Sequence, residues 1–134
     1  LAGNPMATAA GLAALSELNS DVYAELESRA TRLASLITDA TTAAGLPVTT
    51  SRVGTLVGIY LGNALGGARL PINFDEAKKT DEALYARLFH SLLNEGVAMA
   101  PGAYEAIFVG LGHTEAVMND LAERFHRAAR AVTA

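Results

Sequence analysis

One carboxylate stands out among the side chains that could do chemistry. It is Glu105, in the stretch APGAYEAIFVGLGH over residues 100–113, between a Pro-Gly turn and an apolar run typical of a buried strand. An acid in this setting has two interpretations. It is either a half-exposed or hydrogen-bonded glutamate at the start of a strand, or a carboxylate directed into a cleft, where a cation or a substrate ammonium group pairs with it. Composition and spacing leave both interpretations open.

The other ionisable groups form no catalytic arrangement that the sequence can identify. His90, His113 and His126 fall in separate predicted elements without the helical spacing of two metal ligands, so we expect no metal site. His113 is expected to hold a strand-to-helix turn through a ring hydrogen bond. Lys78 and Lys79 lie in the charged run FDEAKKTDE, which is typical of a solvated helix face and not of a desolvated Schiff-base amine. No serine is framed by the glycines of a nucleophile elbow.

Composition narrows the class of protein. The chain has 134 residues, no cysteine and 51% hydrophobic residues, which suits one compact domain in a reducing compartment, with the cytoplasm as the expected location. A mean hydropathy of +0.25 indicates that part of the surface is buried against a partner.

The net charge of −4 argues against a nucleic-acid surface. Arg124, Arg127 and Arg130 recur near a predicted helix end, where cations suit the helix dipole. We expect no membrane span and no signal peptide.

Start and stop signals divide the first 45 residues into two helices. Asn4 can cap a helix over Pro5 to about Leu18. The triplet NSD at residues 19–21 caps a second helix, whose leucine-rich stripe ends at Gly45. We expect this helix pair to have no sheet partner of its own, so residues 1–45 are interpreted as an arm that leads to something outside the chain.

Strand and helix patterns alternate after the arm. Two short strands are predicted around a bend at Arg52 to Gly54, the second over Thr55 to Leu61 with both faces buried, and the segment GNALGGARLPIN is predicted to be a loop. The elements predicted next are a helix over Asp75 to Glu95, a strand over Val97 to Ala100, a Pro-Gly turn, a strand over Ala106 to Leu111 and a helix from Thr114 to about Val132. The inward face of that last helix is predicted to consist of Val117, Leu121, Phe125 and Ala128 or Ala129.

This order of elements predicts an α+β fold with a small, mostly antiparallel sheet covered on one side by helices. Residues 46–134 form the α+β domain in this interpretation. The helical arm over residues 1–45 precedes it.

Three stretches and a closing amphipathic helix carry a resemblance to a known family. They are AGNPMATAAGLAAL at residues 2–15, SRVGTLVGIYL at 51–61 and FDEAKKTDEALYARLFHSLLNEGVAMAPGAYEAIFVGLGHT at 74–114. Through them the whole chain resembles the C-terminal portion of the glutamate-1-semialdehyde 2,1-aminomutase family, within the class III group of pyridoxal-phosphate aminotransferases. The first motif is shared across class III. The third is much more specific to the aminomutases.

The resemblance implies a fold-type-I architecture. In that architecture a large domain, here expected upstream of the chain, holds pyridoxal phosphate, and a C-terminal small domain built on a linking helix closes over the active site. The family acts as a homodimer on a small amino-acid substrate. It converts glutamate-1-semialdehyde into 5-aminolevulinate for tetrapyrrole biosynthesis.

The resemblance also implies a role for Glu105. It matches the family's active-site glutamate, at a place where related aminotransferases carry an arginine that grips a substrate carboxylate. A negative charge there repels a second carboxylate. The family usually has Ser where Gly102 stands. The cofactor lysine and its partners lie upstream in the family, so we expect no catalytic, cofactor-binding or metal-binding residue in this chain, and no pyridoxal phosphate on the chain alone.

Two alternatives stay open from the sequence. One is the small domain of an ordinary class III aminotransferase, which Glu105 in place of arginine disfavours. The other is a non-catalytic association module that buries the alanine-rich helices and performs no chemistry.

Overall fold

A computed structural model of the protein describes residues 3–63 and 69–133. In chain order its elements are α1 (Pro5–Ser16), α2 (Ser20–Ala43), β1 (Val48–Val53), β2 (Leu56–Leu61), α3 (Phe74–Ala77), α4 (Glu82–Asn94), β3 (Ile107–Phe108) and α5 (Glu115–Thr133). The middle of the predicted glycine-rich loop, residues 64–68, lies outside the described residues.

The strands form one antiparallel sheet in the order β1-β2-β3. β1 and β2 are a hairpin that closes with Val53 opposite Leu56. Gly54, in the two-residue turn, has a φ of 56°, a left-handed value that glycine adopts without steric cost. β3 pairs with the other edge of β2, with Phe108 opposite Leu56. The predicted α+β class with a small antiparallel sheet is confirmed.

Helices cover one face of this sheet. α2 and α4 pack against the strands, and α5 packs against both helices. Along β2 the side chains alternate, so that Val57, Ile59 and Leu61 are buried and the residues between them are partly exposed. The prediction that this strand is buried on both faces is therefore wrong, because the helix layer covers only the face with the three buried residues. The core consists of Ala30, Leu33, Leu36, Ile37, Ala40, Leu46, Val57, Ile59, Leu61, Leu84, Tyr85, Leu88, Leu92, Val109, Met118, Phe125, Ala128 and Ala129.

The two leading helices pack differently. α1 begins as predicted, with Pro5 as its first residue and the Asn4 side chain accepting a hydrogen bond from Ala7 N at 2.9 Å, but it has no buried residue. α2 begins at its Asn19 cap and ends before Gly45, whose φ is 73°. It packs against β1 and α5. The expectation that neither helix has a sheet partner is wrong for α2, because its leucine-rich stripe is part of the core. The division between arm and domain at residue 45 stays a prediction.

The helix predicted over Asp75 to Glu95 is interrupted. α3 lasts about one turn, and α4 begins only after Asp81, whose side chain accepts a hydrogen bond from Leu84 N at 2.8 Å. The interruption is fixed from outside the helix, because Asp81 N donates to Leu61 O at 2.7 Å and anchors the start of α4 to the end of β2. α4 ends, as predicted, before Gly96, which has a φ of 77°.

The two strands predicted around the Pro-Gly turn are wrong in part. Val97 to Ala100 forms no strand, and the carbonyl of its last residue accepts a hydrogen bond from the Tyr85 hydroxyl at 2.8 Å instead of one from a neighbouring strand. The strand predicted over Ala106 to Leu111 is limited to β3. It ends early because Gly110 belongs to a turn, in which its amide donates to His113 Nδ1 at 2.9 Å.

The last helix keeps most of its predicted inward face. Phe125, Ala128 and Ala129 are buried, whereas Val117 is 44% exposed and Met118 is buried beside it. The inward stripe therefore begins one residue later than predicted.

Candidate functional site

Glu105 lies beside the face of the sheet that the helix layer leaves uncovered. It follows the Pro101–Gly102 turn and precedes β3, and its amide donates to Gly102 O at 3.3 Å. This segment, the β1-β2 hairpin and α3 enclose a cleft of about 270 Å³, which we call the open-face cleft. It is lined by Ser51, Val53, Leu56, Val57, Gly58, Ile59, Tyr60, Phe74, Ala77, Ala103, Tyr104, Glu105 and Ala106.

Glu105 supplies the charge of the open-face cleft. Among the described residues that line it, Glu105 is the one with a formal charge. Its side chain is exposed and makes no hydrogen bond or ion pair with another described residue. A carboxylate that is left unpaired by the described residues, at the rim of an apolar cleft, can accept hydrogen bonds from a ligand or pair with its ammonium group.

Two tyrosines near Glu105 have different partners. The pKa of Tyr85 is raised by burial and, to a lesser extent, by the negative charge of Glu105. Tyr104 donates its hydroxyl hydrogen to the Glu82 carboxylate, and this hydrogen bond raises the pKa of Tyr104. The Tyr104 hydroxyl is therefore satisfied by Glu82, and the Glu105 carboxylate stays available.

Gly102 shapes the position of the Glu105 side chain. A Cβ atom at Gly102 would lie 3.3 Å from Glu105 Cγ, which is closer than most Cβ atoms approach another group, and 3.5 Å from Glu105 Oε1, an ordinary van der Waals distance. The Glu105 side chain thus lies against the turn that precedes it, in space that a larger residue at position 102 would reduce.

Two proteins that are similar in sequence to this chain share the same functional name. No family model matches it. It is 39% identical over 135 aligned residues to a glutamate-1-semialdehyde 2,1-aminomutase of Desulfosudis oleivorans, in an alignment that covers 100% of this chain and 30% of that protein. A glutamate-1-semialdehyde 2,1-aminomutase 2 of Bacillus licheniformis is 35% identical over 115 residues, which are 86% of this chain and 26% of that protein. The resemblance to the aminomutase family is confirmed. The chain spans less than a third of the length of these relatives.

A solved structure supports the fold of this aminomutase-like chain. An omega-transaminase from Sphaerobacter thermophilus matches it with a TM-score of 0.68 and 21% sequence identity, over 94% of this chain and 28% of that one. At this identity the likeness concerns the fold. It agrees with the predicted class III architecture, in which this chain corresponds to one part of a larger enzyme.

The two lysines of the aminomutase-like chain lie on its surface, as predicted. Lys78 Nζ is 2.8 Å from Asp75 Oδ1 and 5.3 Å from the centroid of the Phe74 ring, and half of its side chain is exposed. Lys79 is exposed as well. Neither amine is enclosed, so neither has the desolvated setting that Schiff-base chemistry requires.

The histidines are not brought together. His90 is an exposed residue of α4 beside Phe89, His126 lies on α5, and His113 holds the turn before α5 as predicted. Within residues 3–63 and 69–133, no group of three or more potential metal ligands is found. In the same part of the chain, no helix combines the length and the apolarity that crossing a bilayer would need.

Arg29 is a residue that the sequence reasoning missed. It donates from α2 to Gly110 O at 3.1 Å and to Leu111 O, and it also pairs with Glu25. Arg29 thus holds the carbonyl of Gly110, while the His113 ring accepts a hydrogen bond from the Gly110 amide. The turn after β3 is thereby attached to α2. A contact across 81 residues of sequence leaves no local pattern from which it could have been predicted.

Tyr85 is a second residue that the sequence reasoning did not single out. A signal for its role was present, because a buried tyrosine hydroxyl needs a hydrogen-bond partner. The structure provides that partner in Ala100 O, directly before the turn that leads to Glu105.

A second cleft differs from the open-face cleft in its charge. It has a volume of about 350 Å³ and lies between α5 and residues 96–99. Its charged lining residues, Arg124 and Asp120, pair with each other at 2.7 Å. Arg127 pairs with Glu95 at 2.7 Å, so this part of the arginine stripe attaches α5 to the end of α4. The described charged residues of the second cleft are therefore paired with each other and not available to a ligand.

Proposed function

We propose that this chain is the C-terminal small-domain portion of a glutamate-1-semialdehyde 2,1-aminomutase, and that Glu105 contacts the substrate. In the full-length enzyme the amino group moves between adjacent carbons, which gives 5-aminolevulinate for tetrapyrrole biosynthesis. The observation that carries the role of Glu105 is its place in the lining of the open-face cleft. Among the described residues it is the charged one of that lining, and none of them pairs with its carboxylate. The names of the two relatives support the reaction class.

Glu105 would act through its charge and position. Its carboxylate can pair with a substrate ammonium group at the rim of the cleft, where apolar neighbours weaken the competition from water. The same charge repels a second substrate carboxylate. This repulsion disfavours the dicarboxylic partners of ordinary transamination.

The described residues do not themselves fit a pyridoxal-phosphate site. Lys78 and Lys79 are the only lysines in the sequence, and both amines are exposed, Lys78 in an ion pair with Asp75. We therefore assign the cofactor to the large domain of the full-length enzyme and derive no step through it from this chain. The carboxylate of Glu105 is the contribution that we assign to this part of the protein.

The exposed apolar surface suggests where the rest of the enzyme packs. Met6, Leu12 and Leu15 of α1 are 85%, 70% and 67% exposed, and burial of such side chains favours association. In our proposal residues 1–45 link the small domain, residues 46–134, to the large domain. The enzyme is a cytoplasmic homodimer.

The test is a substitution of Glu105 in the full-length enzyme. Glu105→Gln keeps the size of the side chain but removes its charge, and we expect kcat/KM for glutamate-1-semialdehyde to fall about tenfold or more, the effect of losing a charge-assisted contact. The matched control is Glu27→Gln, since Glu27 is an exposed glutamate on α2, away from the cleft. It should leave kcat/KM unchanged.

Two results would contradict the proposal. Unchanged turnover in Glu105→Gln would favour the non-catalytic association module. Efficient amino transfer to 2-oxoglutarate by the unmodified full-length enzyme would favour an ordinary class III aminotransferase.

A further inference from the structure

We infer that Tyr85 is a positioning residue for Glu105, acting through the Ala100 carbonyl and the Pro101–Gly102 turn. The inference rests on the proposed role of Glu105 in substrate binding. It adds a second residue to that site, one that never touches the substrate.

The first link joins Tyr85 to the start of the turn. Tyr85 is 5% exposed on α4, and its hydroxyl donates to Ala100 O at 2.8 Å. Residues 97–100 lie in no strand, so ladder hydrogen bonds do not hold them. The Tyr85 hydrogen bond therefore attaches the segment to the helix layer at Ala100, directly before Pro101, whose ring fixes its own φ and restricts the conformation of Ala100.

The second link joins the turn to the carboxylate. Glu105 N donates to Gly102 O at 3.3 Å, and the Glu105 side chain lies against Gly102, 3.3 Å from where a Cβ atom would stand. The position of the carboxylate therefore depends on the position of the turn. The influence of Glu105 on the pKa of Tyr85 agrees with the short path between them.

Loss of the Tyr85 hydroxyl should make the position of the Glu105 carboxylate more variable, while the carboxylate itself is retained. The phenyl ring of Tyr85→Phe still fills the core, but Ala100 O loses its partner and the turn is free to shift. Catalysis depends on groups held within a fraction of an ångström of their working position. The carboxylate would then occupy its working position for a smaller fraction of the time.

The experiment is a double-mutant cycle in the full-length enzyme with Tyr85→Phe, Glu105→Gln and the combination of the two. We expect Tyr85→Phe to lower kcat/KM for glutamate-1-semialdehyde about threefold to tenfold, the range for one hydrogen bond. In the Glu105→Gln background the same change should cause no further loss, because the residue being positioned has already lost its charge. The control is Tyr23→Phe, since Tyr23 of α2 is half-exposed. It should not change kcat/KM in the unmodified enzyme or in Glu105→Gln.

A second variant approaches the carboxylate from the other side. Gly102→Ala places a methyl group against Glu105 Cγ and leaves the Tyr85 hydrogen bond in place. Whatever change it causes in kcat/KM of the unmodified enzyme should be absent in the Glu105→Gln background, because the methyl group acts on the position of the carboxylate. It also covers the case in which Tyr85→Phe fails to fold, which thermal unfolding of each variant would detect.

Three results would overturn the inference. If the fold-losses in kcat/KM of Tyr85→Phe and Glu105→Gln multiply in the double variant, the two residues act independently, and Tyr85 affects activity through the general stability of the protein. If Tyr85→Phe folds and retains full activity, the hydrogen bond positions nothing that matters. If Glu105→Gln alone is fully active, the proposed function fails and the inference fails with it, and this result is distinct from the first two.

Discussion

The two faces of the sheet differ in what covers them. On one face Val57, Ile59 and Leu61 are buried under α2 and α4, which α5 covers in turn. On the other, Val53 lines the open-face cleft and is 75% exposed, and Phe108 of β3 is 69% exposed. One face holds the chain together, and the other is left for contacts with groups outside it. The candidate site lies on the face that contributes least to the stability of the fold, so its residues can be changed without unfolding the chain.

The largest effect on stability is expected from Ile59→Ala on the covered face. Ile59 is 4% exposed, and removing its buried methyl and methylene groups should lower the free energy of unfolding by about 2–5 kcal/mol. Val53→Ala on the open face is the matched control, with an expected loss below about 1 kcal/mol. Urea unfolding followed by circular dichroism measures both. Equal losses would mean that the open face is as important to the fold as the covered one.

A smaller effect is expected where the helix layer is attached to the sheet. Asp81→Ala removes the side-chain cap of α4, and the free energy of unfolding of the protein should fall by about 1 kcal/mol. Asp39→Ala, at an exposed position within α2, is the comparison and should change stability little. The same urea experiment suffices. Equal losses in Asp39→Ala and Asp81→Ala would mean that the side-chain cap of Asp81 adds nothing specific to the stability of α4.

The smallest expected effect concerns Tyr85, whose hydroxyl attaches the segment before Glu105 to the helix layer. Burial and the charge of Glu105 raise its pKa above the ordinary value of 10.0. As pH rises past that value, the unfolded chain releases the Tyr85 proton while the folded chain retains it, so the free energy of unfolding falls. Tyr85→Phe lacks this dependence. The stability difference between the unmodified protein and Tyr85→Phe should therefore narrow as pH rises above 10.0.

Chemical unfolding at a series of pH values measures this difference. A constant difference from neutral to strongly alkaline pH would mean that the hydroxyl titrates alike in both states. Glu105→Gln in the otherwise unmodified protein should weaken the alkaline loss slightly, because one of the two causes of the raised pKa is removed.

Local signals allowed much of the fold to be predicted. The caps at Asn4 and Asn19 and the glycines at positions 45 and 96 lie where the structure begins and ends its helices. Each signal acts through hydrogen bonds or φ angles within a few residues. The hairpin was predicted for the same reason, although its turn lies at Gly54 and Thr55, slightly later than expected.

The errors depend on contacts between distant parts of the chain. The break at Asp81 depends on a hydrogen bond to the end of β2, and the missing strand at residues 97–100 lies where Tyr85 takes the last carbonyl. At the site, the sequence singled out Glu105 but could not indicate which face of the sheet it would border. Arg29 was missed because its partner turn lies far along the chain.

The attachment of Arg29 to the turn after β3 has a mechanical consequence. α2 has 24 residues, and at the usual rise it is about 36 Å long. Arg29 lies nine residues after Ser20, the first residue of α2, which is about 14 Å along the helix axis, so a tilt of about 5° about that first residue would displace it by about 1 Å. Because Arg29 donates hydrogen bonds to the carbonyl groups of Gly110 and Leu111, we expect the turn after β3 to follow such a movement. A tilt of α2 would then be transmitted through this turn toward the segment that holds Glu105.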